Sequence, residues 1–221
     1  MRRIRNQAAP APAPDQTSTS FAETPPQAAP EDEKKLIAVL SVSLKDRMDA
    51  CRRLGIVGTK DAVRPLARLL ADEELSHMAR YGLEAIPDAA VDDVLRDALG
   101  KLKGRPLVGV IGSIGVRRDT KAVEPLSRLL QDSDADVVRA AARSLGRIGT
   151  QDAARALKER LATAPPETRL AVADGCLACA ERLMTVEGGR ADALALRESV
   201  AKADLPEYVR RAAESAGGRT L

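Results

Sequence analysis

Residues 106–119 read PLVGVIGSIGVRRD, and the reading of this stretch decides the fold. Gly109, Gly112 and Gly115 follow an apolar run, as the glycines of a phosphate-cradling loop follow a strand. A dinucleotide fingerprint requires G-x-G-x-x-G, however, and a P-loop ends in Gly-Lys-Ser/Thr. Neither pattern is present. The stretch has instead a counterpart 31 residues further on, which lays Leu107 on Val138, Gly109 on Ala140, Ile111 on Ala142, Ser113 on Ser144, Ile114 on Leu145 and Gly115 on Gly146. That match makes it the first helix of a repeat. Glycines at a spacing of three are expected along one helical face, where small residues let neighbouring helices approach, at about 1 kcal/mol each relative to Ala.

The self-similarity extends well beyond these residues. LGIVGTKDAVRPLARLLAD (54–72) aligns without gaps on IGVRRDTKAVEPLSRLLQD (114–132), an offset of 60, and a further step of 31 reaches LGRIGTQDAARALKERLAT (145–163). An intermediate copy, AIPDAAVDDVLRDALGK (85–101), completes the series. Aligning Ala62, Ala90, Ala122 and Ala153 gives spacings of 28, 32 and 31. Each unit reads as a helix, a turn marked by Gly and Asp or Thr, and a second helix of the form AVxPLxxLL. Asp61, Asp88 and Asp152 stand where an N-cap would satisfy the free N–H groups of the second helix. Pro65 and Pro125 fall near its first turn, where a missing donor costs least.

DVVRAAARSLGRIGTQDAARAL (136–157) and the earlier LGIVGTKDAVRPLARLL resemble the HEAT repeat, particularly its short bacterial form, also described as the HEAT-like repeat of phycobilisome lyases. The resemblance covers about residues 45–163, and DLPEYVRRAAESAGG (204–218) echoes the first-helix motif. It implies an all-α chain folded as a right-handed α-solenoid of about five stacked helix pairs, armadillo-like in its helical layers. It specifies fold and is nearly silent on function.

Composition agrees with an all-helical chain. The 221 residues are 44% hydrophobic and 30% charged, with no Trp and only Phe21, Tyr81 and Tyr208 aromatic. Ala and Leu dominate over strand formers. A net charge of +3, from 35 basic and 32 acidic residues, creates no strong field to draw in nucleic acid or a membrane surface. No apolar run reaches the roughly 18 residues of a membrane span. Cys51, Cys176 and Cys179 are too few for a secreted disulfide framework, which favours a reducing compartment. MRRIRNQ is followed at once by AAPAPAP, without the apolar core of a signal peptide, so the chain as written reads as cytoplasmic. A mis-assigned start or a removed signal would make it exported or periplasmic.

Residues 1–31, rich in Pro and Ala, are expected to form a disordered tether. Helical periodicity begins after them and defines a solenoid over 32–219. Its variant C-terminal unit, 165–219, reads as a longer first helix (167–185), a second (189–202) and a last from 206. That unit suits the polar cap a solenoid needs, or the point where the chain continues into another domain.

Three groups of residues carry candidate chemistry. Cys176 and Cys179 form the one C-x-x-C, but it falls inside a helix, and zinc would have to recruit distant Cys51 or the single histidine, His77. His77 shares a helix face with Arg80, Tyr81 and Glu84, an ordinary polar face without a nucleophile. The di-iron HEAT-repeat hydroxylases need His-Glu dipeptides, which are missing, and HEAT-like DNA glycosylases use aromatic residues that are scarce here. The third group is a ladder, Arg68, Arg96 and Arg128, in one register of successive second helices, with Arg64, Asp92, Glu124 and Arg155 as a mixed row one turn earlier. Such arginines suit an acidic peptide or phosphate-bearing partner. The bland alternative is that each is held by its own helix, Arg68 by Asp72, Arg96 by Asp92, and Arg128 by Glu124 and Asp132.

The chain therefore reads as a non-catalytic protein-interaction scaffold with no cofactor or metal, binding a protein or peptide along the inner surface of the solenoid. Two rivals stand beside this reading. One is a nucleic-acid-binding module using the Arg ladder together with Arg2, Arg3 and Arg5; near-neutral charge and few aromatics count against it. The other is an accessory enzyme or metal protein using Cys176, Cys179 or His77.

Overall fold

A computed structural model describes residues 30–215, with side chains from residue 32. The tether expected over 1–31 lies outside the described residues except for its last two, which open the first helix. The helices, in chain order, are α1 (Pro30–Val39), α2 (Leu44–Val57), α3 (Lys60–Ala67), α4 (Ser76–Ala85), α5 (Ala89–Leu99), α6 (Gly104–Arg117), α7 (Val123–Leu129, entered through a 3-10 turn at Thr120–Ala122), α8 (Ala135–Ile148), α9 (Gln151–Thr163), α10 (Pro166–Leu183), α11 (Arg190–Lys202) and α12 (Glu207–Ser215). No strand occurs among the described residues. Residues 106–119 lie in α6 and the turn after it, so the glycine-rich stretch is helical.

From α2 to α11 the helices stack as five pairs in two layers. First helices α2, α4, α6, α8 and α10 pack side by side, and second helices α3, α5, α7, α9 and α11 form the other layer. The chain is an α-solenoid. Each of α2 to α9 contributes a fully buried large aliphatic residue to the shared core: Leu54, Leu66, Leu83, Leu95, Ile114, Leu126, Leu145 and Leu157 in turn. Truncating any of these to Ala should cost about 2–5 kcal/mol.

Small residues set how closely the first helices approach. A Cβ on Gly115 would lie 2.8 Å from the Cα of Ser144, and one on Gly146 would lie 2.7 Å from the carbonyl oxygen of Gly175. Gly112 departs from the expected shared face. A Cβ there would meet nothing within 4 Å, because a spacing of three turns successive positions by about 60°, and this one reaches the outer surface.

The caps correct two sequence expectations. Asp88 caps α5, accepting from the N–H of Ala90. The other two caps are Thr59 on α3 and Thr150 on α9, with Asp61 and Asp152 in the first turn instead, where a negative charge still favours the helix dipole. Starting α3 at Thr59 also carries Pro65 to its sixth residue, past the first turn, while Pro125 is the third residue of α7. Glu33 of α1 is buried and accepts from the Thr59 N–H at 2.6 Å, tying α1 to the start of α3.

The caps also fix the register of the second helices. The third residue after each capping residue, Thr59, Asp88, Asp119 and Thr150, is fully buried: Ala62, Val91, Ala122 and Ala153. Val91 is therefore the counterpart of Ala62, not Ala90. Along the second-helix layer α3 packs on α5, α7 on α9 and α9 on α11, whereas α5 and α7 scarcely touch.

Candidate partner-binding surface

A one-residue slip in α5 turns each of its side chains by about 100°. Counted from Val91, the residue in register with Arg68 and Arg128 is Asp97, and the row continues to Glu159. One turn earlier the row is Arg64, Asp93, Glu124 and Arg155. All eight side chains are exposed. The expected arginine ladder is thus a row of alternating sign, and Arg96 and Asp92 do not belong to either row.

Those two residues build the seam between the second and third pairs. Arg96 is ion-paired both to Asp93 and to Asp119, the cap of the following 3-10 turn. Asp92 accepts from the Arg117 Nε at 2.5 Å. The same Arg117 guanidinium, 13% exposed, donates to the carbonyl oxygens of Ile86 at 2.9 Å, Asp88 at 3.1 Å and Glu84 at 3.3 Å. It thereby reaches round the α4–α5 turn, where Ile86 and Asp88 also accept from the N–H groups of Asp88 and Val91, and it gives the last-turn carbonyl of Glu84 a donor that no helix bond supplies. Nothing in the repeat alignment points to this clamp, because its partners are 25 or more residues away.

The pairings of Arg128 and Arg155 are local. Arg128 meets Glu124 at 2.6 Å, and Arg155 meets Asp152 at 3.1 Å; with both partners largely exposed, such pairs contribute little stability. Asp72 does not pair with Arg68. It meets Arg47 at 3.4 Å and accepts from the N–H groups of Glu74 and Leu75. Asp132 likewise accepts from the Asp134 N–H rather than holding Arg128. Arg64 and Arg68 have no ion pair among the described residues.

Open grooves run between these second helices. The one between α3 and α5 encloses about 410 Å³, with Arg64, Arg68, Asp97 and Lys101 around a floor of Ala67, Leu70, Val94, Ala98 and Leu102. A second, of about 670 Å³, lies between α9 and α11 and is rimmed by Arg155, Lys158, Glu159, Lys202 and Asp204 over Leu161 and Ala162. Charged rims on apolar floors suit side chains of a polypeptide that present both an apolar body and a charge.

The other candidate groups are placed differently. Cys176 and Cys179 are fully buried in α10, and their thiols are pushed up to about 12, chiefly by burial, with each other's charge opposing ionisation of Cys176 and Asp192 opposing that of Cys179. Burial likewise raises Cys51 to about 11, against the pull of Arg47. No group of three or more His, Cys, Asp or Glu residues gathers to hold a metal among the described residues. The α4 face divides. His77 and Tyr81 point outward, whereas Glu84 accepts from the Ser113 hydroxyl at 2.5 Å and Arg80 donates to the Gly109 carbonyl at 3.3 Å, both towards α6. Burial lowers the Arg80 guanidinium below its ordinary value, and Glu84 opposes that shift.

One further cluster lies on the first-helix layer. Arg139, Arg143 and Arg147 follow each other at every fourth residue of α8 and wall a cleft against α10. Their spacing is legible in RAAARSLGR, residues 139–147, once the helix is known.

Residues 107–178, from α6 into α10, match the family described as HEAT repeats. The match spans about a third of the chain. None of the curated proteins matches the chain. Among solved structures, a designed armadillo repeat protein in complex with the peptide (KR)4 is similar at 20% identity, over 82% of this chain and 96% of that one, with a TM-score of 0.52. An engineered protein matches at 20% identity over 83% of this chain and 94% of its own, with a TM-score of 0.50. The complex of CpcE and CpcF of phycocyanin lyase from Nostoc sp. PCC7120 matches at 20% identity over 83% and 80%, with a TM-score of 0.43. The likeness to the first two is one of fold, the helical solenoid. No helix among the described residues is long and apolar enough to cross a membrane.

Proposed function

We propose that this HEAT-repeat chain is a non-catalytic protein-interaction scaffold whose partner lies across the second-helix layer. The observation that carries the reading is the exposed row Arg68, Asp97, Arg128 and Glu159, held in register over four successive second helices and flanked by grooves with apolar floors. The core needs none of these charges. A partner would be held by many modest contacts spread over several repeats, as the quasi-one-dimensional architecture favours. Alternating signs select a protein or peptide that carries both charges, and they work against a uniformly anionic polymer lying along this layer.

The test is capture of partners from lysate by the wild type and by a variant combining Arg68→Glu, Asp97→Lys and Arg128→Glu, after both are shown to be equally helical. A protein retained by the wild type and lost by the variant is the expected result. Retention of every partner by the variant removes the second-helix layer as the site, and recovery of nucleic acid in place of protein overturns the reading.

A further inference from the structure

The outer cleft between α8 and α10 has a built-in polarity that the fold does not require. Arg139, Arg143 and Arg147 form one wall, and Ala171, Gly175 and Ala178 form a floor of small residues, enclosing about 220 Å³. The repeat register places Gly112 and Val116 of α6, and Asp174 and Ala178 of α10, at the positions of Arg143 and Arg147. The α6–α8 contact therefore forms without a cation at these positions. Arg139 is partly engaged, meeting Asp136 at 2.7 Å and donating to the Glu167 carbonyl at 3.1 Å. Arg143 and Arg147 are exposed and have no ion pair among the described residues. The one carboxylate facing them, Asp174, makes no ion pair with Arg143, and burial raises its proton affinity against the pull of that arginine. The cleft thus keeps a net positive wall, with Leu170, 39% exposed, on the α10 side.

We propose that this cleft docks an acidic α-helical segment of another protein, with carboxylates at every fourth position set against the arginine wall. The guanidinium positions step by about 6 Å along α8, the same interval at which a parallel or antiparallel helix presents its own side chains four residues apart. The small floor lets such a helix come close, and Leu170 offers it an apolar contact. A duplex or an anionic bilayer fits less well, because Asp174 stands in the wall's path and the chain as a whole is nearly neutral. This surface lies on the first-helix layer and is independent of the scaffold reading of the second helices.

The probe is a fluorescein-labelled synthetic peptide about four turns long with Glu at every fourth position and Ala and Leu elsewhere, titrated with the full chain by anisotropy. The expected result is saturable binding that weakens with salt and falls at least about tenfold in the Arg143→Glu, Arg147→Glu double variant. A peptide with Lys in place of Glu should bind that double variant and not the wild type, a rescue that a misfolded protein cannot give. The milder Arg143→Gln, Arg147→Gln variant should weaken the Glu peptide with helical content unchanged. Arg68→Glu with Arg128→Glu should leave this binding intact even if it abolishes partners of the second-helix layer. The proposal is overturned if a shuffled or proline-interrupted peptide of the same composition binds equally, or if the double reversal changes nothing. Tighter binding of duplex DNA or phosphatidylserine vesicles through the same arginines would also overturn it.

Discussion

Two substitutions three residues apart in α6 should move stability in opposite directions. At Gly112 an added Cβ meets nothing within 4 Å, so Gly112→Ala gains helix propensity alone, about 0.8–1 kcal/mol. At Gly115 the same methyl would lie 2.6 Å from the Ser144 hydroxyl and 2.8 Å from the Ser144 Cα. The hydroxyl could rotate, but the Cα belongs to the α8 backbone, so the two helices must part by several tenths of an ångström. Parting them also strains the buried bond from the Ser144 hydroxyl to the Ile111 carbonyl, 2.8 Å long. Overpacking of this kind costs about 1–3 kcal/mol, and after the propensity gain Gly115→Ala should be destabilised by up to about 2 kcal/mol. With a urea dependence of about 2 kcal/mol/M, the two unfolding midpoints should separate by roughly 1 M, on either side of the wild type. If Gly115→Ala raises the midpoint as Gly112→Ala does, the close crossing of α6 and α8 is wrong.

Arg117→Ala takes the ion pair from Asp92 and a donor from three carbonyl groups, of which those of Ile86 and Asp88 keep a backbone N–H, and should cost about 2 kcal/mol. A double-mutant cycle with Asp92→Asn should show coupling above about 1 kcal/mol, and additive losses would remove the clamp. Arg118, left-handed at φ 55°, occupies the place that Gly149 takes one repeat later at φ 68°, so Arg118→Gly should raise thermal stability by up to about 1 kcal/mol; a loss would contradict the strain. Because the folded state holds the Cys176 and Cys179 protons more tightly than the ordinary thiol value of 9.0, their contribution to stability is complete below about pH 9 and is lost as pH rises towards about 12. The decline has a limiting slope of about 1.4 kcal/mol per pH unit for each thiol. Alkaline unfolding should therefore be less steep in Cys176→Ala, Cys179→Ala, and an unchanged profile would show that the thiols are not buried as described.

Periodicity made most of the architecture legible in the sequence. The offsets of 31 and 60 predict the helix pairs, and Pro165-Pro166 and Gly188-Gly189 predict the limits of α10 and α11 to within about two residues, because each helix repeats the same burial pattern. Letter identity misled at α5. Ala90-Val91 resembles Ala62-Val63, but burial follows distance from the cap, and Asp88 sets that distance one residue later. The cost fell on the site, since one residue of helical rotation replaces Arg96 by Asp97 in the outward row. Thr59 and Thr150 capped where Asp was expected because both residue types accept an N–H well, and position alone decided between them. The Arg117 clamp has no local signature; its acceptors are main-chain oxygens that only the folded turn brings together.

The seam where α5 and α7 scarcely touch has a mechanical meaning. Elsewhere in that layer neighbouring helices touch through apolar side chains at the bases of the grooves, contacts whose attraction vanishes within about an ångström of separation. Across the seam the tie is made by Arg96 with Asp119 and Arg117 with Asp92, and Coulomb attraction decays far more gradually with distance. The layer is stiff on both sides and compliant at one joint. A load applied along the array would open that joint first, changing the span between the α3–α5 groove and the α9–α11 groove while leaving the shape of each groove unaltered.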